Sequence, residues 1–565
     1  MDSAVFKRTS LAMMMALALA ACGGGGGGGG NDDGGGDDDG GDTSYAVTIS
    51  SSNANKTADD AKTCHQGVTS DDSRACGLRM YQIMVEAYVN GDDTVNYNTG
   101  YGPSNHKGDL QGVIDSLDYI KSTGVNAIWL TPIFNSCGDT VSDKKLAATG
   151  YYACDYFTVD PYFGNSAKLK ELVDTAHAKG LYVILDGVFG HAITNKIPAA
   201  PVSGVSPVMV AASTGYTVDY TKANSLTFFT EVATHYINTY GIDGWRLDQS
   251  YQVPVEAWNT IRTAVESAAA ARASAGEEWG TLGYMVGEDW AGQNDIVSDT
   301  YGTASLPGLK SAFDFPLHYG LVQAVGAESS GATGDATSIY ASWNNGVLDS
   351  GVYPSFAMPN LFLGNHDIPR FGDLLQRSKL GDIDEDAYWL RHKAAFSFMA
   401  ATSGPITFYY GEEIGDQLDG FAAQNTSCGT GTAWCDDNVA RTTGKVAGVT
   451  SGFTPSSRQS DLKTYLKSLL DLREAHPALY NGSLTRIFTD SQVLVSRKDN
   501  AANADHVLYL LNTKTTDAVV TLSTDALGDD GQLVNLLDSS ATVSASGGNY
   551  VITVPALTGV FYQIN

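Results

Sequence analysis

Four short segments concentrate the residues able to do chemistry: Asp186-Gly-Val-Phe-Gly-His191, Gly244-Trp-Arg-Leu-Asp248, Val286-Gly-Glu-Asp289 and Leu363-Gly-Asn-His-Asp367. Each leaves an apolar run and ends in carboxylates or a histidine. A buried strand that turns abruptly polar delivers its polar residues to one end of a sheet. Several such strands in parallel deliver them to one pocket, which is how (β/α)₈ barrels build sites at the C-terminal ends of their strands. The pocket gathers Asp186, Asp248, Glu288 and Asp367, with Arg246, His191 and His366 among them. Paired carboxyl groups suit glycoside chemistry: one attacks, one donates a proton, and a retaining enzyme holds them about 5 to 5.5 Å apart. Arg246 lies two residues before Asp248 and so shares its strand face. Its charge is expected to depress the Asp248 pKa, while Glu288, among acidic neighbours on an apolar strand, is expected to be raised.

Neighbouring residues carry blander expectations. Asp289 should point away from Glu288 and serve structure. Trp129 and Trp245 read as barrel packing, His318 and His392 as core or surface, and Asp314 as a buttress on the sixth strand. Glu86 and Tyr88, near the end of the first strand, are left open between facing the site and packing.

The elements that must position these residues follow from pattern. Apolar β-type runs at Tyr81–Val89, Val125–Leu130, Leu181–Asp186, Ile242–Asp248, Tyr284–Glu288, Ala312–Phe315, Asn360–Gly364 and Pro405–Tyr409 alternate with helical periodicity. Leu110, Val113, Leu117 and Ile120 share one helix face closed by Gly124; Leu169, Leu172, Val173 and Ala176 repeat the arrangement before Gly180. The alternation predicts an α/β fold, a (β/α)₈ TIM barrel over residues 63–477. A Pro/Ser/Gly/Val-rich stretch at about 192–221 reads as a short inserted subdomain overhanging the pocket. Residues 478–565 read as an all-β C-terminal sandwich.

Composition bounds the rest. The chain has 565 residues, 43% hydrophobic, with a net charge of −29, which excludes nucleic acid as a partner because phosphate contacts need Lys and Arg clusters. Residues 1–22 read as a lipoprotein signal: Lys7 and Arg8, an apolar Leu11–Ala21, then Cys22 as the lipidated residue. Residues 23–62 read as a flexible Gly/Asp-rich linker. Six further cysteines fall into near neighbours, Cys64 with Cys76, Cys137 with Cys154 and Cys428 with Cys435; an even set in an exported chain points to disulfides whose connectivity the sequence leaves open. The expected location is a bacterial outer membrane or cell surface, with membrane contact through the lipid alone.

On these motifs the chain resembles glycoside hydrolase family 13, the α-amylase family. Gly124-Val-Asn-Ala-Ile-Trp-Leu-Thr-Pro132, Asp155-Tyr-Phe-Thr-Val-Asp-Pro-Tyr-Phe-Gly164 and Tyr409-Tyr-Gly-Glu-Glu-Ile-Gly415 agree as well. The resemblance implies Asp248 as nucleophile, Glu288 as general acid/base and Asp367 as the third carboxylate. It implies His191 and His366 as hydrogen-bond partners of the central sugar, Tyr151 as its stacking platform, Arg246 as partner of the nucleophile, and Asp186 at the pocket floor. The implied reaction is retaining hydrolysis of α-1,4-glucosidic bonds in starch, glycogen or maltodextrins, with no cofactor. Alternatives are a transglycosylase, a hydrolase of α-1,6 linkages or small α-glucosides, and a non-catalytic glycan-binding lipoprotein.

The chain also departs from the family. Gly190 stands where many α-amylases carry an Asn that ligates a structural calcium. Gln249-Ser-Tyr-Gln252 replaces the usual Lys-His after the nucleophile, and Thr149 replaces a His. The loop Asn90-Gly-Asp-Asp93 with Asn96 and Asn98 offers oxygen ligands of the kind some relatives use for Ca²⁺, but it reads as a plain polar turn.

Overall fold

The computed structural model describes residues 45–59, 64, 70–100, 102–138, 144–348, 351–418, 420, 436 and 438–565. The signal, Cys22, the first part of the linker, Cys428 and Cys435 lie outside them. Eight parallel strands close into a barrel: Arg79–Ile83, Ala127–Leu130, Tyr182–Gly187, Gly244–Leu247, Tyr284–Gly287, Ser311–Phe313, Met358–Phe362 and Ile406–Tyr409, the last pairing with the first. Alternation along each strand divides the core. Met80, Ala127, Trp129, Ile184, Val286, Phe313 and Phe362 fill the barrel interior, while Tyr81, Ile128, Val183, Trp245 and Leu361 pack outward into the larger core shared with the helices.

The helices carry the expected faces. Leu110–Lys121 buries Leu110, Val113, Leu117 and Ile120 and starts on an Asp109 cap that accepts from the Gly112 amide. Ser166–Ala178 buries Leu169, Leu172, Val173 and Ala176 under an Asn165 cap. Gly124 and Gly180, after these helices, both take positive φ, which only glycine adopts without cost. The first strand is shorter and earlier than its apolar run suggests. Met84–Val89 is buried but turns, with the Tyr88 amide bonded to the Met84 carbonyl. There Glu86 pairs with His106 at 3.0 Å and Tyr88 meets Tyr410 edge-on, so neither serves the barrel as strand.

The insertion after the third strand is a small antiparallel sheet, His191–Ala192, Met209–Ala211 and Tyr216–Val218. The C-terminal module has two sheets. Its large sheet runs through Ser483–Thr489, Val493–Asn500, Asp505–Asn512 and Thr558–Ile564, and the smaller contains Ala518–Ser523 and Asn549–Val554.

One feature corrects the sequence reading. The supposed linker contributes strands: Tyr45–Ile49 lies parallel to Ala518–Ser523, and Thr57–Asp59 lies antiparallel to Ser483–Thr489. The sandwich is therefore not wholly antiparallel, and one edge strand of each sheet comes from the N-terminal side of the barrel. Disulfides join Cys64 to Cys76 and Cys137 to Cys154. His318 and His392 are core residues, each bonded to a backbone carbonyl through Nδ1.

Candidate active site

The barrel register places the chemistry. Arg246 is level with Asp186 on the third strand and Val286 on the fifth; Leu247 is level with Gly187 and Gly287. Asp248 and Glu288 follow immediately, their amides bonded to Gly187 and Leu247 carbonyls. The last rungs of the ladder thus fix the backbone of both carboxylates at the same rim.

One guanidinium organises the cluster. Arg246 Nη1 lies 2.9 Å from Asp186 and 3.1 Å from Asp248 Oδ1, and its Nη2 lies 2.7 Å from Glu288 Oε1. Its Cζ stands 5.0 Å over the Trp129 ring and 5.7 Å over Tyr151. Trp129, read as packing alone, also donates to Asp186. Tyr151 donates to Asp186 at 2.8 Å and stacks on His366. Asp367 is held from two sides, by His366 Nε2 at 3.0 Å and by Arg441 at 2.8 Å. His191 Nε2 lies 3.8 Å from Asp248 Oδ2. All eight site residues named from the sequence are brought together: Asp186, Asp248, Glu288, Asp367, Arg246, His191, His366 and Tyr151.

The electrostatics differ from expectation at one residue. Burial pushes Glu288 up to about 7, against Arg246, and with help from Asp248 and Asp367. Asp248 is also raised: burial outweighs the opposing Arg246 and His191, so the expected depression does not appear. The reason is that Arg246 is shared among Asp186, Asp248 and Glu288 and cannot fully compensate any one of them. Asp367 is half-buried, and that burial raises it, but His366 and Arg441 overcome this and hold it well below the usual carboxylate range. With its pKa at about 7, Glu288 is protonated in part at neutral pH.

Sequence reasoning missed several contributors. Gln82, a polar residue inside the apolar first strand, bonds His366 Nδ1 at 2.7 Å; a polar side chain in that run was the available signal. Arg441 comes from a loop after the last strand, and nothing local marks it. Trp290, two residues past Glu288, is 37% exposed, stacks on Phe315 and donates to Tyr319. Asp289 is wholly buried, 3.4 Å from the Thr300 hydroxyl. Asp314 caps the next helix at Leu317 and accepts from Tyr353, a buttress.

The family's calcium does not fit at position 190. Gly190 offers no side-chain ligand, and a Cβ built there would meet Gln252, 2.6 Å from its Cβ. In the other loop, Asn90 donates to Asp93, and Asp92 accepts from Thr94. Among the described residues no cluster of three or more His, Cys, Asp or Glu is set to hold a metal.

A closed parallel barrel with an acid-base carboxyl pair at its C-terminal rim defines a glycosidase. The alpha-amylase catalytic-domain family matches residues 57–198 and 214–468, and the chain belongs to that family. It is a hydrolase of α-glucans, and the family's chemistry needs no cofactor. A cyclomaltodextrinase of Geobacillus thermopakistaniensis is 28% identical over 86% of this chain and 76% of its own length. An intracellular maltogenic amylase of Bacillus subtilis is 29% identical over 60% of the chain and 55% of its own length. Among solved structures, AmyP in complex with maltose superposes with a TM-score of 0.82 at 45% identity, over 89% of this chain and 99% of that one. A glutamate-to-glutamine variant of AmyP with maltotriose matches similarly, with a TM-score of 0.81.

Proposed function

We propose that the protein cleaves α-1,4-glucosidic bonds in maltodextrins, starch or glycogen with retention, using Asp248 as nucleophile and Glu288 as acid/base. The observation that carries this reading is the Arg246 guanidinium spanning both carboxyls while burial raises Glu288 to about 7. Asp248 attacks the anomeric carbon as Glu288 gives its proton to the departing glycosidic oxygen. Glu288, now a carboxylate, takes a proton from water, and the oxygen of that water displaces Asp248 from the sugar. Asp367, kept ionised, accepts from sugar hydroxyls and faces the positive charge that develops on the ring. Tyr151, His191 and His366 orient the central sugar.

Relatives named cyclomaltodextrinase and maltogenic amylase, and a neighbour crystallised with maltose and maltotriose, support short or cyclic maltodextrins as working substrates. Maltoheptaose and a cyclic maltodextrin, each incubated with the parent and its Glu288→Gln variant, separate the readings. Shorter products from the parent alone are expected. Products longer than the substrate indicate transglycosylation instead, and turnover by neither protein returns the glycan-binding alternative. An intact set of three carboxylates opposes that last reading, because binding alone does not need a protonated one.

The segment ending Leu19-Ala20-Ala21-Cys22 supports export and anchoring by lipid on Cys22, followed by a Gly-rich tether. Gly23 after the Cys supports the outer membrane or cell surface. In a bacterial host, Cys22→Ala is expected to move the enzyme from the membrane to the soluble fraction; a variant that stays membrane-bound refutes the anchor.

A further inference from the structure

Gly190 and Gln252 form a matched pair. The Gln252 side chain lies so close to Gly190 that an added Cβ would fall 2.6 Å from its Cβ and closer still to its Oε1. From this seat Gln252 reaches two ways: Oε1 stands 2.9 Å from His191 Nδ1, and Nε2 donates to Gln249 Oε1 at 2.8 Å. Gln249 carries the connection to the carboxylates. Its backbone is left-handed, with φ +43°, directly after Asp248. That turn points its amide N–H at Glu288 Oε2, 3.1 Å away, and brings its side-chain Nε2 to 3.5 Å from Asp248 Oδ2. Gln249 Oε1 also accepts from the Tyr251 hydroxyl at 2.6 Å.

The chain of bonds has a direction. A carboxylate only accepts, so Gln249 turns its amide NH₂ to Asp248 and its oxygen to Gln252. Gln252 must then turn its NH₂ to Gln249 and its oxygen to His191. His191 Nδ1 faces that oxygen, while its Nε2 faces the Tyr151 backbone carbonyl at 2.9 Å, so the ring is held at both nitrogens. A left-handed non-glycine residue is strained and persists only where its surroundings over-determine it, and here the side chains of Asp248, Tyr251, Gln252 and Glu288 do so.

We propose that Gln252, filling the space that Gly190 leaves, is a positioning residue: through Gln249 it orients the His191 imidazole from the Asp248 carboxylate, with hydrogen bonds in place of a metal ligand at position 190. The paired departures from the family, Gly for Asn at 190 and Gln at 249 and 252, are then one device. Enlarging residue 190 expels Gln252, and removing the Gln252 amide leaves the ring without its Nδ1 partner.

The inference rests on the proposed part of His191 at the sugar, and its test separates the two. The full-length exported enzyme, labelled with ¹⁵N-histidine, is compared with Gln252→Met, which keeps the volume without the amide, and with Gly190→Ala, which displaces the side chain; His191→Gln assigns the signal. Gln252→Met is expected to melt near the parent temperature; both variants are expected to shift the ¹⁵N signal of His191 Nδ1 and to lose on the order of tenfold in kcat on maltotriose. The nitrogen signal is read without substrate, so a parent inactive on maltooligosaccharides would sink the functional reading and leave this test standing. A Gln252→Met protein with an unchanged His191 signal and kcat within about twofold of the parent overturns the proposal. A shift of that signal in the parent on adding a chelator overturns it too, since a metal would then orient the ring. Should Gln252→Met fail to fold, Gly190→Ala carries the same readouts.

Discussion

Asp248 and Glu288 are equally buried, each 7% exposed. Both carboxyls are raised above their ordinary values, Glu288 to about 7. Its proton is needed in the first step, and a carboxyl is protonated below its pKa. The kcat/KM profile is therefore expected to fall as pH rises through about 7, and a profile flat to pH 9 would remove Glu288 from the acid role. The linkage has the same sign: the folded state favours that proton, so its contribution to stability is lost as pH climbs through about 7. At this scale the sequence shows the carboxylates, because a polar residue ending an apolar strand is visible by type alone. It does not show Arg441, which reaches Asp367 from a distant loop, nor the sharing of Arg246 that leaves Asp248 raised. Charge balance is a property of the assembled cluster, and adjacency along a strand gives only one of its terms.

Among the elements, the strands read most cleanly where an apolar run stops at chemistry. The third, fourth and fifth strands end within a residue or so of expectation because Asp186, Asp248 and Glu288 punctuate them. The first strand misleads, since Met84–Val89 stays apolar after the ladder has ended; burial there comes from a turn packed beneath Gly108, whose amide bonds the Glu86 carbonyl. Tyr45–Ile49 was hidden in a segment judged by its Gly/Asp-rich beginning. Its alternation is real, and Ile49 is wholly buried in the core of the C-terminal module beside Val520 and Ile552. Ile49→Ala is expected to cost about 2–5 kcal/mol of that module's stability, read as a lower urea midpoint. A change below about 0.5 kcal/mol would mean the strand is not held there in solution.

Across the whole molecule, barrel and C-terminal module share a core. Asp505–Asn512 turns Leu508 and Leu510 toward the small sheet and Val507, Tyr509 and Leu511 toward the barrel helices, where the Tyr509 hydroxyl meets Ser397. A strand covered on both faces reads as a continuous apolar run, which is why Val507–Leu511 looked like sandwich core without disclosing which side faced the barrel. The order of strands was legible from repetition; the docking of one module on the other was not, because both faces are equally apolar.

Tyr45 pairs with Ala518 and Ile49 with Leu522. A ribosome makes the first of these strands long before the second, so for nearly the whole of synthesis Tyr45–Ile49 has an edge and no neighbour. Closing a loop of that length carries a large entropic cost before any contact rewards it, which places the joining of the two ends late in folding. Until then the strand is open to pairing with other chains. The nascent protein is thus a natural client for chaperones that shield its leading end, and its yield on refolding should fall with concentration sooner than that of a barrel whose own strands are all near neighbours in sequence.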